Sequence, residues 1–112
     1  MKKIEAIIRR SKYEAVKEAL QAKGILFFSY WEVTGIGHEK KGHVYRGISY
    51  STSDIERRCL SIIVNDEFEE AAIEAILEAA KTGEVGDGKI FVYEVKEAYR
   101  IRTGEKGGET LN

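Results

Sequence analysis

The amino-acid sequence predicts an α+β domain with two helices and a sheet of four strands. Four short segments are rich in β-branched and aromatic residues, and two others repeat apolar residues at helical spacing. Their order along the chain is β-α-β followed by β-α-β. The 112 residues are within the usual size of one domain, so residues 1–112 are predicted to form a single unit.

The first strand and helix follow from the opening of the chain. Residues 2–9 begin by alternating apolar and polar side chains, with Ile4 on the apolar side, which predicts a strand. Ser11 and Glu14 have the spacing of a capping box, in which each side chain satisfies a free backbone amide at a helix start. Apolar residues then recur at helical spacing until Gly24, which is predicted to end the helix.

A second strand is followed by a long segment without periodicity. Residues 25–34 are rich in β-branched and aromatic residues and predict a strand. From Gly35 to about Asp54 the sequence contains four glycines and follows neither the period of a strand nor that of a helix. Because loops longer than roughly 12–15 residues are uncommon in compact domains, this length indicates a functional loop.

The second half of the chain repeats the order of the first. Residues 58–65 predict a third strand, Asp66 and Glu69 a second capping box, and the apolar spacing a helix from about 67 to 81. Residues 89–98 predict the fourth strand. Two interleaved β-α-β units predict a ferredoxin-like βαββαβ sandwich, with the long loop between the second and third strands and both helices on one face.

Several strand segments are apolar on both sides, among them residues 62–64 and 90–92. A sheet with one face in water would alternate apolar and polar residues, and the two helices can cover only one face. Another copy of the chain is the simplest cover for the second face. The sequence therefore predicts a homo-oligomer.

Composition and charge exclude several classes of function. The formal net charge of −1 gives no overall field for binding nucleic acid or a membrane surface, and no run approaches the roughly 20 apolar residues of a membrane span. The start of the chain lacks the apolar stretch of a signal peptide, and a single cysteine, Cys59, excludes an internal disulfide framework. These features predict a cytoplasmic protein without membrane insertion. The polar, glycine-containing residues from about 104 to 112 predict a flexible tail.

The strongest binding motif is the segment TGEVGDGK at residues 82–89. Its glycines, Gly86 and Gly88 among them, let backbone amides approach an anion, and Lys89 adds a positive charge. It is not a Walker A motif, because no Ser or Thr follows the lysine and because it joins a helix to a strand. The alternative interpretation is a tight helix-to-strand connection in which Asp87 and Gly88 form the turn.

Other polar residues permit further interpretations. Arg100 and Arg102 alternate, so an extended chain would place both on one face, where they suit a phosphate group. The alternative is a solvated edge strand whose charges oppose aggregation. His38 and His43 with Glu39 have the residue types of a metal site, although two histidines on a loop are more often unliganded. No Ser/His/Asp, Cys/His or paired-carboxylate arrangement stands out, so no enzymatic activity is predicted.

The sequence resembles the P-II nitrogen regulatory signal-transduction proteins over nearly its whole length. The resemblance is carried by KKIEAII at the start, by EVTGIG and KGHVYRGISY, and most specifically by TGEVGDGKIFV and the closing RIRTGE. It implies a ferredoxin-like homotrimer that binds ATP or ADP in clefts between subunits. It also implies a protein that signals nitrogen, carbon and energy status rather than an enzyme.

The resemblance further implies which residues bind nucleotide. The glycine-rich turn would cradle the phosphates, the two arginines would reach them from the adjacent subunit, and parts of the second and third strands would line the adenine and the base of the loop. The implied nucleotide-binding residues are Ser29, Gly35, Ile36, Gly37, Val64, Gly86, Asp87, Gly88, Lys89, Arg100 and Arg102.

Effectors and partners are implied in the same way. Mg²⁺ and 2-oxoglutarate would bind with ATP at the root of the loop, about residues 37–54, and this loop would dock on an ammonium transporter or on a target in nitrogen assimilation or nitrogenase regulation. Arg57 stands where a lysine usually helps to hold the acid, with Lys40 nearby, and Glu39 replaces a glutamine that ligates Mg²⁺. The tyrosine at the position of Tyr50 is uridylylated in some bacteria.

Departures from the family pattern keep alternatives open. A carboxylate at Glu39 can ligate Mg²⁺ but repels a dianionic 2-oxoglutarate. Phe27 and Phe28 replace a smaller pair near the adenine. The alternatives are a P-II-like sensor of a different small anion or nucleotide such as AMP, or a nitrogenase-type regulator without the usual 2-oxoglutarate sensing. The alternative from a different class is a small ferredoxin-like enzyme or metal-binding trimer that uses Glu39, His38 and His43.

Overall fold

The computed structural model describes residues 1–37, 44–45, 48–49 and 53–111. Two α-helices, α1 and α2, follow strands in the two halves of the chain, and each is preceded by a short 3-10 turn. The elements are β1 (Lys2–Ile8), α1 (Tyr13–Ala22), β2 (Ser29–Gly37), β3 (Val44–Tyr45), β4 (Ile48–Ser49), β5 (Ser53–Val64), α2 (Glu69–Ala80) and β6 (Lys89–Glu94), with 3-10 turns at Arg10–Lys12, Asp66–Phe68 and Gly108–Leu111.

The four long strands form one sheet in the order β2-β5-β1-β6. Every neighbouring pair is antiparallel, and β1 lies inside the sheet, with Ala6 opposite Leu60 of β5 and Ile90 of β6. The first strand of each β-α-β unit thus lies between strands of the other unit. This order, with two helices, agrees with the predicted ferredoxin-like fold.

The core lies between one face of the sheet and both helices. Along β1, Ile4, Ala6 and Ile8 are buried whereas the residues between them are only half-buried, as the alternation of a strand requires. Both helices contribute to the same core, so they cover the same face of the sheet. The buried core residues are Ile4, Ala6, Ile8, Val16, Leu20, Ile25, Leu60, Ile62, Val64, Ala72, Ala75, Ile76 and Ala80.

The predicted capping boxes are wrong, although both helices exist. A 3-10 turn precedes each helix, so α1 begins at Tyr13 and α2 at Glu69, and the residue before each makes no side-chain capping hydrogen bond. The carboxylate of Asp66 instead forms an ion pair with the N-terminal ammonium of Met1, with 2.9 Å between the nitrogen and Oδ1. The predicted end of α1 is confirmed, because Gly24 has a φ of +80° and its amide donates to the carbonyl of Gln21 at 3.0 Å.

Strand boundaries differ from the predicted ones around the long loop. Residues 25–28 are not in a strand, since the amide of Ile25 still bonds the carbonyl of Leu20 at the end of α1. The pairing of β2 with β5 continues to Gly37 opposite Ser53, which shortens the predicted loop at both ends. Within it, β3 and β4 form a small antiparallel pair where no regular structure was predicted.

The end of the chain folds back on the body of the domain. β6 ends at Glu94, four residues before the predicted end. Tyr99 pairs with Lys106 in an isolated bridge, and the side-chain amide of Asn65 donates to the carbonyl of Gly108 at 3.0 Å. The flexibility predicted for residues 104–112 stays a prediction.

The sheet face opposite the helices combines charged and apolar side chains. Lys3 and Glu5 pair on this face of β1, with 3.6 Å between their charged atoms. Phe91 and Tyr93 lie opposite this pair on β6, and Trp31 lies on the same face of β2; each of the three is 43–46% exposed. The described chain thus leaves a partly apolar face uncovered. Neither described helix is long and apolar enough to cross a membrane.

Candidate functional site

The glycine-rich turn between α2 and β6 is folded around one carboxylate. Asp87 accepts hydrogen bonds from the backbone amides of Thr82 at 2.8 Å and Gly83 at 2.9 Å, and also from the Thr82 hydroxyl. Its pKa lies well below the ordinary value, first because of the Thr82 hydroxyl and then because of the amides and the Arg9 guanidinium. The structure therefore gives Asp87 a role in shaping the turn.

Glycine is required where this turn meets the end of β1. Gly83, Gly86 and Gly88 have φ values of +90°, +102° and +104°, a region that other residues rarely adopt. A Cβ atom on Gly88 would lie 1.7 Å from the carbonyl oxygen of Ile7. The turn can approach β1 this closely only because position 88 has no side chain.

Two arginine side chains from neighbouring strands hold the outer part of the turn. Arg9, directly after β1, donates from Nε to Asp87 at 3.1 Å and from Nη2 to the carbonyl of Val85 at 3.0 Å. Arg57 on β5 donates to the carbonyl of Gly86 from Nε at 3.2 Å and from Nη2 at 3.0 Å. Two consecutive carbonyl groups are thereby pinned toward guanidinium groups.

The hydrogen bonds to the carbonyls of Val85 and Gly86 also fix the direction of the amide N–H groups in the same two peptide bonds. In a trans peptide the C=O and N–H bonds point to opposite sides, and no peptide bond in the chain is cis. The amides of Gly86 and Asp87 therefore point away from the arginines, and within the described residues no hydrogen bond occupies either of them. Consecutive outward amides in a glycine-rich turn form a concavity that suits an anion, and the exposed Lys89 follows directly.

Arg100 and Arg102 do not lie on an extended strand, so that part of the prediction is wrong. Residues 101–103 form a turn, closed by a hydrogen bond of 2.7 Å from the amide of Gly104 to the carbonyl of Arg100. The Arg100 guanidinium bonds the carboxylate of Glu105 at 3.0 Å. Among the described residues no hydrogen bond or ion pair joins Arg100 or Arg102 to the glycine-rich turn.

A separate open cavity contains two of the predicted nucleotide-binding residues. It has a volume of about 780 Å³ and lies between α1, the segment before β2, the end of β5 and the C-terminal turn. This volume is within the range of small-molecule sites. Ser29 and Val64 line it, together with the apolar residues of positions 25–28.

Some of the remaining predicted positions lie in β2, and the others lie outside the described residues. Gly35, Ile36 and Gly37 form the last part of β2, where Ile36 is 78% exposed. They lie in a strand at the root of the long loop, and their role in nucleotide binding stays a prediction. The predicted sites at Glu39, Lys40 and Tyr50, and the histidines at 38 and 43, lie outside the described residues. Within the described part of the chain, no three His, Cys, Asp or Glu residues are grouped as a metal site would require.

Arg9 contacts the glycine-rich turn, and the sequence did not predict this contact. It follows β1 directly, and Arg10 beside it forms ion pairs with Glu56 and Glu32 instead. A cationic residue just beyond a buried strand was the only available signal. Nothing local relates it to a turn 78 positions later in the chain.

Comparison with known proteins identifies the family. The family model described as nitrogen regulatory protein P-II matches residues 1–105. Proteins named nitrogen regulatory protein P-II from Rhodospirillum rubrum, Azospirillum brasilense and Pasteurella multocida are 48%, 49% and 46% identical to this chain. Each of these alignments covers 99% of this chain and 100% of the relative. The relatives are named as regulatory proteins, and the chain belongs to the nitrogen regulatory protein P-II family, a family of signalling proteins.

Proposed function

We propose that this chain is a nitrogen, carbon and energy-status sensor that binds ATP or ADP through its glycine-rich turn. The observation that carries the proposal is the pair of outward amides at Gly86 and Asp87, held in place by Arg9 and Arg57. A polyphosphate chain offers several acceptor oxygens to such amides and to Lys89. The cytoplasm, where these nucleotides are abundant, is the proposed location.

Spacing along β5 supports a nucleotide site shared between subunits. Arg57 contacts the turn, whereas Val64 lines the cavity, and the two are seven positions apart on one strand. This corresponds to roughly 23 Å of extended chain. Parts so far apart meet on one nucleotide most simply when the turn comes from one copy and the cavity from the next. Arg100 and Arg102, remote from the turn in their own chain, fit the same arrangement.

The uncovered sheet face supports a homotrimer as the assembly. Trp31, Phe91 and Tyr93 lie on the face that the helices leave open, and each keeps nearly half of its surface exposed in the single chain. Burying such side chains stabilises an assembly by about 25 cal/mol per Å² of apolar surface. We propose that three copies meet through this face and form the nucleotide clefts along their edges.

The long loop is proposed as the output of the sensor. Arg57 contacts the glycine-rich turn and lies four positions along β5 from Ser53 at the root of the loop. A 2-oxoglutarate that binds Arg57 beside Mg-ATP would therefore lie near the turn and the loop root. Glu39 and Lys40 would complete that effector site, with Glu39 as the ligand of Mg²⁺. Different ligands would favour different loop conformations, and only some would fit a partner such as an ammonium transporter or a nitrogen-assimilation or nitrogenase regulatory target.

A second candidate function follows from the carboxylate at position 39. Glu39 adds a negative charge where 2-oxoglutarate would bring two more. This favours a sensor that responds to nucleotide, including AMP, or to another small anion, without 2-oxoglutarate.

Titration calorimetry distinguishes these candidates. ATP, ADP, AMP and 2-oxoglutarate are titrated into the protein with and without Mg²⁺. Binding of 2-oxoglutarate only in the presence of Mg-ATP supports the first candidate, and nucleotide binding without any 2-oxoglutarate effect supports the second. Absence of nucleotide binding contradicts both.

Two lysine variants test the role of the turn in that binding. Lys89→Ala should weaken ATP binding by roughly 1.5–3 kcal/mol, the scale of a charge-assisted hydrogen bond. Lys96→Ala removes an exposed lysine beyond the other end of β6 and should leave ATP affinity unchanged. Equal affinities in the two variants would contradict the phosphate assignment.

A further inference from the structure

The loop of residues 100–105 is closed at its base by backbone hydrogen bonds. The amide of Arg100 donates to the carbonyl of Glu105 at 2.7 Å, and the amide of Gly104 donates to the carbonyl of Arg100 at 2.7 Å. The loop therefore has a defined shape within the single chain. Arg100 and Glu105 lie side by side where it begins and ends.

The carboxylate of Glu105 is held in place by a neighbouring threonine. The hydroxyl of Thr103 donates to Oε1 of Glu105 at 3.1 Å and accepts from the amide of Glu105 at 3.2 Å. The same Oε1 accepts a hydrogen bond from Nη1 of Arg100 at 3.0 Å. One carboxylate oxygen thus receives two donors, which fix it relative to the backbone of the loop.

This contact occupies only one nitrogen of the Arg100 guanidinium. An arginine has five N–H donors, and those on Nε and Nη2 lie along one edge that matches two oxygens of a phosphate. Among the described residues, neither Nε nor Nη2 of Arg100 forms a hydrogen bond or an ion pair. Glu105 therefore fixes the guanidinium and leaves that edge available to an anion.

The pair of Arg100 and Glu105 contributes little to folding. The two side chains are 29% and 47% exposed, and solvent weakens ion pairs that are exposed to this extent. No residue of the loop belongs to the described hydrophobic core. A polar cluster that adds little stability but fixes one guanidinium is what a preorganised anion contact requires.

We propose that Glu105 is a positioning residue that holds Arg100 ready for a phosphate of the nucleotide bound to the glycine-rich turn of the adjacent copy. The inference rests on the proposed function, because it requires a nucleotide shared between subunits. A free arginine side chain loses conformational entropy when it binds a phosphate, and one already fixed by Glu105 loses less. Glu105 thus strengthens the binding of an anion although it carries a negative charge itself.

The direction of a substitution effect separates positioning from charge. Glu105→Ala removes a negative charge near the proposed phosphate, so charge alone predicts equal or tighter ATP binding. Positioning predicts that affinities for ATP and for inorganic tripolyphosphate fall roughly 3- to 10-fold in calorimetry, the scale of one hydrogen bond. Glu105→Gln keeps an acceptor oxygen for Arg100 and should recover most of the lost affinity.

The matched control removes another carboxylate from the same end of the chain. Glu109 is exposed, and among the described residues no arginine bonds it. Glu109→Ala should change ATP affinity by less than about twofold. Urea unfolding and light scattering should give the wild-type stability and mass for the variants at both positions.

A double-mutant cycle tests whether Glu105 acts through Arg100. In an Arg100→Ala background, Glu105→Ala should cause no further loss of ATP affinity, because the group that it positions is absent. In an Arg102→Ala background it should cause the full 3- to 10-fold loss, because Arg102 is exposed in the turn and does not bond Glu105. A merely structural role of Glu105 would give the same loss in both backgrounds.

Each other outcome counts against the inference in a distinguishable way. Wild-type protein that does not bind ATP overturns the proposed function itself. Wild-type protein that binds ATP, with Glu105→Ala binding it equally well or more tightly, overturns only the positioning role. Unchanged ATP affinity in Arg100→Ala also overturns it, because Arg100 would then not contact the phosphate. A loss of affinity that comes with a changed mass in light scattering would make Glu105 a subunit-interface residue instead.

Discussion

The guanidinium of Arg9 donates a hydrogen bond to the carboxylate of Asp87 at 3.1 Å. This contact connects the end of β1 to the glycine-rich turn that precedes β6, the last strand. Both side chains are about one quarter exposed, which limits screening of the pair by solvent. The same carboxylate bonds the amides at the start of the turn, and the same guanidinium bonds a carbonyl at its outer part. One ion pair thus links the fold of the turn to the position of β1.

Replacing Arg9 should damage anion binding more than folding. Arg9→Ala releases the carbonyl of Val85 and one partner of Asp87, so the amide of Gly86 loses its fixed direction. We expect ATP and tripolyphosphate affinities to fall on the order of tenfold, equivalent to one or two net hydrogen bonds. Arg10→Ala is the control in calorimetry, because Arg10 bonds Glu56 and Glu32 rather than the turn. If both variants lost the same anion affinity, the loss would come from the removed positive charge and not from the contact of Arg9 with the turn.

This ion pair shows what the sequence can and cannot predict about the site. The glycines and lysine of the turn identify an anion-binding motif because their effect is local. The contribution of Arg9 depends on the sheet order, which brings the end of β1 beside the start of β6 with Ile7 opposite Lys89. Contacts across the sheet have no counterpart in local residue spacing, so they emerge only from the folded chain.

Local patterns also fail where neighbouring structure competes with them. Alternation correctly predicts β1, because one of its faces is buried against both helices. Residues 25–28 have strand-forming side chains, yet Ile25 is used to close α1 and to fill the core. Arg100 and Arg102 alternate in sequence, but the turn of residues 101–103, which contains Arg102, takes the place of the extended chain.

The Asp87 carboxylate should make stability depend on pH in acid. Its pKa in the folded chain is below the ordinary value of 3.8, chiefly because of the Thr82 hydroxyl, so the unfolded chain binds the proton more readily. The contribution to stability is complete above that ordinary value and is lost as the pH falls below it. In urea unfolding, Asp87→Asn should be less stable than wild type at neutral pH, and the difference should shrink below about pH 4. A difference that stays constant across this range would contradict the assignment.

Gly88 should tolerate no side chain, for a reason separate from its backbone angle. An added Cβ would meet the carbonyl oxygen of Ile7 at 1.7 Å, so Gly88→Ala must push the turn away from β1. Gly83→Ala is the matched control, because Gly83 has a similar φ of +90° but nothing within 4 Å of an added Cβ. We expect Gly83→Ala to cost about 1–2 kcal/mol of unfolding free energy and Gly88→Ala clearly more. Equal costs would show that backbone angle alone requires glycine.

The uncovered sheet face should respond to charge only if it is buried between copies. Phe91 lies opposite Glu5 on that face and outside the core, so Phe91→Glu places two carboxylates side by side without opening a cavity. In a trimer that buries this face, the added carboxylate is desolvated and repels Glu5. The assembly should therefore dissociate into folded monomers. Light scattering and circular dichroism measure the two effects. Leu77→Glu, on α2 and away from this face, should leave the mass of the wild-type assembly unchanged. A Phe91→Glu protein that keeps the wild-type mass would show that this face does not form the proposed trimer.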